Sequence, residues 1–214
     1  MSGGSQRRRG RPVGILVSGS GTNMRALVHA AQAGEVHADV RVVISNRPGA
    51  LALERAEALG IATAVVDHTA HSDRETFEEA LADVLREHGV EVVCLAGFMR
   101  ILGARFLDAF EGRVLNVHPS LLPAFPGLHA ARKALDYGTR VAGCTVHLVT
   151  EEMDAGPILA QATVPVHEDD TEASLQARIQ AEEHRVYPLA LDWVCRGQVE
   201  VAGRRVLIRG RDGQ

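Results

Sequence analysis

Two residues set two apart, Asn116 and His118, are the first candidates for chemistry in this chain. They stand in Leu115-Asn116-Val117-His118-Pro119-Ser120. On a β-strand, residues i and i+2 point to the same side, so an amide and an imidazole would face one space. Pro119 keeps the residue before it extended and stops the strand. In open α/β sheets, ligands gather outside the carboxyl ends of the strands, where this pair would sit. A hydrogen-bonded structural histidine is the plainer alternative; the paired asparagine and the strand-end position favour a functional one. Acids follow in Glu151-Glu152-Met153-Asp154-Ala155-Gly156-Pro157. A carboxylate reaching His118 from this loop would favour the imidazolium and suit it to general-acid work. Spacing alone does not choose among the three acids.

The second candidate is Ser18-Gly19-Ser20-Gly21-Thr22-Asn23, which follows an apolar run at 13–17 and precedes a helical pattern reaching about residue 32. A first strand-to-helix turn aims backbone N–H groups and the helix dipole at an anion. Gly19 and Gly21 permit close backbone approach, and Thr22 and Asn23 add side-chain donors. Met24 stands where a dinucleotide loop carries its third glycine, and no Lys-[Ser/Thr] pair follows, so the loop suits one phosphate rather than a whole nucleotide. An ordinary tight turn is the alternative.

A third candidate lies on a long helix expected from near Thr171 to about Cys195, bent at Pro188. Leu175, Ile179, Val186, Leu189 and Trp193 form its apolar stripe, with Glu182 inside that stripe and Glu183 at its edge. A carboxylate on a buried face needs a partner, either a ligand group or a structural arginine. The ten histidines are scattered, and none sits four residues from another with a nearby Glu, so no metal is expected.

These groups need a scaffold. β-Rich runs at 13–17, 40–44, 61–66, 90–96 and 113–117 alternate in the first half with helical patterns, including 51–59 and a helix after Ser72-Asp73-Arg74-Glu75. That tetrapeptide reads as a capping box with Ser72 at the cap, and Phe77, Ala80, Leu81, Val84 and Leu85 form the helix's apolar face, ended by Gly89. Further runs at 143–149 and 158–166, and a terminal hairpin at 199–201 and 205–208, make the second half richer in strands. The expected fold is α/β, a mixed and mostly parallel sheet with helices on both faces.

Composition narrows the function class. The chain has 214 residues, 46% of them hydrophobic, enough for one large domain. Arg7, Arg8, Arg9 and Arg11 put the basic excess in residues 1–12, read as a disordered basic tail ahead of a single domain at 13–214. That body carries 19 basic against 27 acidic side chains, a net −8, which argues against nucleic acid as a partner. No apolar segment follows the tail as in a secretory signal, and no run is long enough for a membrane span. Cys94, Cys144 and Cys195 sit in separate apolar runs and read as buried thiols of a cytoplasmic protein.

Three segments taken together carry a resemblance: Ala96-Gly97-Phe98-Met99-Arg100-Ile101-Leu102, Asn116-Val117-His118-Pro119-Ser120-Leu121-Leu122-Pro123, and Pro126-Gly127-Leu128-His129. The chain resembles the folate-dependent phosphoribosylglycinamide formyltransferase family of purine biosynthesis, over most of its body. The resemblance implies a Rossmann-like formyltransferase fold. It also implies transfer of the formyl group of 10-formyltetrahydrofolate to the amine of glycinamide ribonucleotide, through a tetrahedral intermediate and without a metal. Asn116, His118 and Asp154 match the catalytic trio. Gly21, Thr22, Asn23 and Met24 match the loop that holds the substrate's phosphate, and Glu183 matches the acid at its ribose end. Arg74, Met99, Arg100, Ile101 and Leu102, with Asn116 and the run Thr150, Glu151, Glu152, Met153 and Asp154, match the folate pocket. Family members often place a basic residue just before the matching glutamate; here those positions hold Gln180 and Ala181, and Arg178 is the nearest base.

Two rival readings remain. Formyltetrahydrofolate deformylase shares the His-Pro-Ser-Leu-Leu-Pro core but carries an extra domain ahead of it, and twelve residues precede Val13 here. A non-catalytic sugar-phosphate-binding module would use the glycine loop alone and leave the Asn116–His118 pair and Asp154 unexplained. The tRNA-directed formyltransferases carry an added β-barrel that this length does not accommodate. Oligomeric state is not legible, and a homodimer is left open.

Overall fold

A computed structural model describes residues 10–210. The run Arg7, Arg8 and Arg9 lies outside the described residues. Seven strands form one sheet: β1 Arg11–Val17, β2 Ala38–Ser45, β3 Ala62–Val65, β4 Val92–Leu95, β5 Val114–His118, β6 Val141–Leu148 and β7 Ile158–Pro165. Their order is β3-β2-β1-β4-β5-β6-β7. The first five run parallel, and β6 and β7 are antiparallel additions. This is the mixed, mostly parallel sheet expected. The tail boundary shifts: Arg11 and Pro12 belong to β1, with Arg11 N donating to His37 O at 2.9 Å, so the strand begins two residues before the apolar run.

Helices α1 Thr22–Ala33, α2 Leu51–Ala58, α3 Arg74–Glu87, α4 Ala104–Ala109, α5 Ala130–Tyr137 and α6 Glu172–Cys195 cover the sheet. Strand periodicity sorts the core into two layers. Val13, Ile15 and Val17 of β1 face a cluster that includes α1 and α6, whereas Leu16 faces a second cluster that includes α3 and α4. Between these layers the sheet is buried on both faces, which is why its strands read as continuous apolar runs. The terminal hairpin, β8 Val199–Ala202 and β9 Arg205–Ile208, forms a separate two-stranded sheet.

Three local expectations change. Asp73, not Ser72, caps α3: its carboxylate accepts from Thr76 N at 2.8 Å, while the Ser72 hydroxyl donates to Asp73. An aspartate one residue nearer the helix satisfies the orphan amide of Thr76, in place of that of Glu75, with a charge favoured by the dipole. The inward face of α3 includes Glu78 and Ala82 with Phe77, Leu81 and Leu85. On α6, Leu189 is 38% exposed, and Tyr187, Ala190, Leu191 and Val194 are buried. The buried stripe is thus rotated by roughly 60° from the one drawn through Leu189, counting about 100° per residue. It turns Glu183 inward and Glu182 outward. Each large aliphatic residue on that stripe contributes about 1.5–3 kcal/mol by leaving water. Pro188 sits inside the helix, which continues through it. Thr171 caps α6 in a reciprocal box with Ser174.

Where β4 and β5 stop pairing, at Leu95 and Asn116, buried Tyr187 lies beneath the gap. Its hydroxyl faces the carbonyls of Leu95 and Leu115 at 3.0 Å each, so one donor serves the two strands. Strand order reverses between β1 and β4, the position at which an open α/β sheet leaves a crevice above its carboxyl ends.

Candidate functional site

A cavity of about 810 Å³ occupies that crevice. It is lined by the loop after β1, the segment after β4, the end of β5, the 150–154 segment and one face of α6. Its two ends are built differently.

At the first end, Gly21 takes the left-handed conformation, φ 75°, and no side chain caps α1. A Cβ on Gly21 would lie 2.6 Å from the Ala52 Cβ, because α2 is tied to the loop by Ala52 N donating to Gly19 O at 3.1 Å. Only glycine meets both constraints. The uncapped start of α1 therefore points its N–H groups and positive dipole end at the cavity. Gly21, Thr22 and Asn23 line it, but Met24 does not: its side chain is fully buried in the core. Only the Met24 backbone is left to serve a ligand. Gln180 donates to Thr22 Oγ1 at 2.9 Å, and Asn23 Nδ2 donates to Glu183 Oε2 at 2.9 Å. Asn23 Oδ1 is buried without a protein partner. Glu183 is 3% exposed; burial pushes its carboxyl up, and the Asn23 bond opposes that only in part. Glu182 pairs with Arg185 instead. Arg178 pairs with Asp170 at 2.8 Å and does not line the cavity, whereas Arg47 and Arg100 do.

At the second end, His118 is 6% exposed. Its Nε2 donates to Phe125 O at 3.0 Å, and its Nδ1 lies 3.4 Å from Asp154 Oδ2. Both ring nitrogens face an oxygen acceptor. Asp154 adopts φ 56°, which aims its carboxylate inward, and Gly127 N donates to the same Oδ2 at 2.8 Å. Two residues on, a Cβ at Gly156 would lie 1.7 Å from Leu148 O, so the loop closes against β6 only with glycine there. Buried Thr145 donates to Ser120 O and accepts from Leu122 N, which pins the chain leaving His118. Of the three candidate acids, the structure brings Asp154 to His118.

The folate-matching residues divide. Met99, Arg100, Ile101, Leu102, Asn116, Thr150, Glu152, Met153 and Asp154 line the cavity. Glu151 does not, and Arg74 lines a separate cleft of about 210 Å³ that shares Arg100 with the main one. At the cavity mouth Met99, Ile101, Leu128 and Met153 are each more than half exposed. Clustered exposed apolar side chains of this kind mark a surface that a ligand covers.

Several contributors escape the sequence reading. The Phe125 carbonyl and Gly127 amide act through backbone, which no residue type announces. His147 is 2% exposed and lies within hydrogen-bond reach of Asn116. The alternation of β6 carries a signal for it: Ala142, Cys144, Val146 and Leu148 face the core, leaving Thr145 and His147 on the polar side.

An α/β crevice with an uncapped helix start at one end and a His–carboxylate pair at the other has the parts of a group-transfer site. A formyl transferase profile matches residues 12–191. The chain is 43% identical over 187 residues to phosphoribosylglycinamide formyltransferase of Escherichia coli, covering 87% of this chain and 88% of that protein. It is 47% identical to the trifunctional purine biosynthetic protein adenosine-3 of Gallus gallus over 88% of this chain, and spans 19% of that much longer protein. The crystal structure of glycinamide ribonucleotide transformylase 1 from Symbiobacterium toebii matches with a TM-score of 0.92 at 49% identity, covering 94% of this chain and 95% of that one. The chain belongs to the formyl transferase family, among its phosphoribosylglycinamide formyltransferases.

Proposed function

We propose that this protein transfers the formyl group of 10-formyltetrahydrofolate to the amine of glycinamide ribonucleotide, in purine biosynthesis. The observation that carries the reading is the placement of Asn116, His118 and Asp154 in one cavity with the Gly21 helix start and Glu183. The α1 N-terminus takes the substrate phosphate, with Arg47 among the lining cations, and Glu183 accepts from the ribose hydroxyls. The pterin lies against the apolar wall around Leu102 and Met99, which brings the formyl carbon to Asn116 and His118.

The amine attacks that carbon directly, and the carbonyl π electrons move to oxygen. The Asn116 amide and a His118 N–H stabilise the tetrahedral oxyanion as donors already held in place. The bond from carbon to the folate nitrogen then breaks, and that nitrogen takes a proton while the former amine gives one up. His118 supplies the proton directly or through water, giving up its bond to Phe125 O or its contact with Asp154 to do so. Asp154 orients the ring. No step calls on a metal. A cytoplasmic location goes with the purine-biosynthesis reading. Among the described residues no helix is long and apolar enough to cross a membrane.

Relatives at 43% and 49% identity bear transferase names, and the hydrolytic alternative is not favoured. The test is tetrahydrofolate formation with and without glycinamide ribonucleotide. Strict dependence on the amine is expected. Turnover at the full rate without it means a deformylase, and none in either case removes both enzymatic readings.

A further inference from the structure

Asn116 and His147 are opposite one another in the antiparallel β5–β6 pair, so their side chains rise from the same face of the sheet. The register of β6 on β7 slips between Val146 and His147, a bulge of the kind that re-aims side chains beside active sites. Nδ1 of His147 lies 2.9 Å from Leu148 O. A carbonyl only accepts, so Nδ1 carries the hydrogen, and in the neutral ring Nε2 is then an acceptor. Asn116 Nδ2 lies 3.3 Å from that Nε2 and donates one of its two hydrogens.

We infer that His147 is a positioning residue for formyl transfer: as the neutral Nδ1–H tautomer it anchors the Asn116 amide nitrogen, leaving the second N–H to meet the oxyanion. The inference rests on the Asn116 role proposed above. A proton on Nε2 would reverse the demand. The ring would then need an acceptor, and the candidates are Asn116 Oδ1, reached by turning the amide over, and Asp154 Oδ1, 3.8 Å away. Either exchange disturbs a group that His118 and the oxyanion depend on.

The surroundings keep His147 neutral. Burial pushes its imidazole down, His118 adds to that, and the Leu148 carbonyl and Asp154 oppose it. Its partner on β7, Ile158, carries no charge. A lowered imidazole stays neutral to more acid pH than a free one, so the Asn116 anchor is lost only below the usual histidine range.

Nitrogen-15 spectra of the histidine side chains in the full chain test the tautomer, with the His147 signals assigned by their loss in His147→Gln. The expected result is an Nδ1–H neutral ring at pH 7; an Nε2–H ring or an imidazolium there overturns the inference. Kinetics supply the second arm. Gln can still accept from Asn116, whereas Leu fills the site without an acceptor. His147→Leu should lower kcat about ten- to a hundredfold with KM unchanged, less than or equal to the loss of a whole oxyanion donor. His147→Gln should recover most of that. Equal losses in both variants overturn the positioning role. Asn116→Ala separates the two readings: full turnover there removes the Asn116 role itself, whereas a crippled Asn116→Ala beside a fully active His147→Leu removes only His147.

Discussion

The two ends of the cavity solve opposite problems. The end proposed for phosphate is a local structure: a strand, two glycines and a helix start contiguous in the chain, with α2 packed on them. The end proposed for transfer is assembled from four separate segments, the end of β5, the turn after it, β6 and the loop carrying Asp154. There Phe125, His129 and Asp154 hold positive φ angles without being glycine. Such conformations cost about 1–2 kcal/mol each and persist where surrounding contacts hold them. The phosphate end relies on backbone shape. The transfer end relies on side chains whose bonds, from Gly127 N to Asp154 and from Thr145 to Ser120, lock them from outside.

If that contrast is right, lesions at the two ends differ in kind. Asp154→Asn should have the largest effect, lowering kcat about a hundredfold, within the range of general acid–base contributions. Asparagine tolerates the left-handed backbone, so the fold and both KM values should hold. A KM change as large as the kcat change would mean that Asp154 binds substrate rather than orienting His118. Gly21→Ala comes next. It combines a left-handed backbone with a contact to Ala52 at 2.6 Å, and should cost about 2–4 kcal/mol of stability. It should also raise KM for the phosphorylated substrate while sparing kcat at saturation. Denaturant melts and initial rates check both, and an intact KM would move the phosphate elsewhere.

The smallest effect belongs to Glu183→Gln. A carboxyl raised by burial keeps its proton to higher pH when folded than when unfolded. Its contribution to stability is complete below the unfolded value and is lost as pH rises through the folded one. At neutral pH the variant should therefore melt about 2–4 °C higher, the shift that about 1 kcal/mol produces in a chain of this size. KM for the amine substrate should rise about tenfold, since a hydrogen bond to a charged acceptor is weakened. A variant no more stable than the parent would show that Glu183 is not destabilising where it sits.

The same contrast explains what could be read in advance. Periodicity located the strands and the principal helices because residues with period 2 or 3.6 must share a face whatever the fold. Asn116 and His118 belong to that class, and so does the glycine loop. Short helices α4 and α5 carry too few turns for periodicity to register, and α5 starts after His129 in a left-handed conformation that no sequence rule favours. The α6 stripe differs at Leu189: its apolar type points to the inside, but Tyr187, Ala190 and Leu191 fill that face and leave it out. The family motif puts Met24 at the ligand, whereas its side chain belongs to the core.

By itself, then, the sequence determined the α/β architecture, the anion-suited turn and the shared direction of Asn116 and His118, all consequences of neighbours a few residues apart. Resemblance supplied the names of Asp154 and Glu183 as partners. The tertiary structure decided the contacts themselves: which of three acids reaches His118, which of two glutamates turns inward, and that His147 stands opposite Asn116. Those depend on register and on how α6 rolls against the sheet, and both are set by packing summed over the whole core rather than by any local pattern.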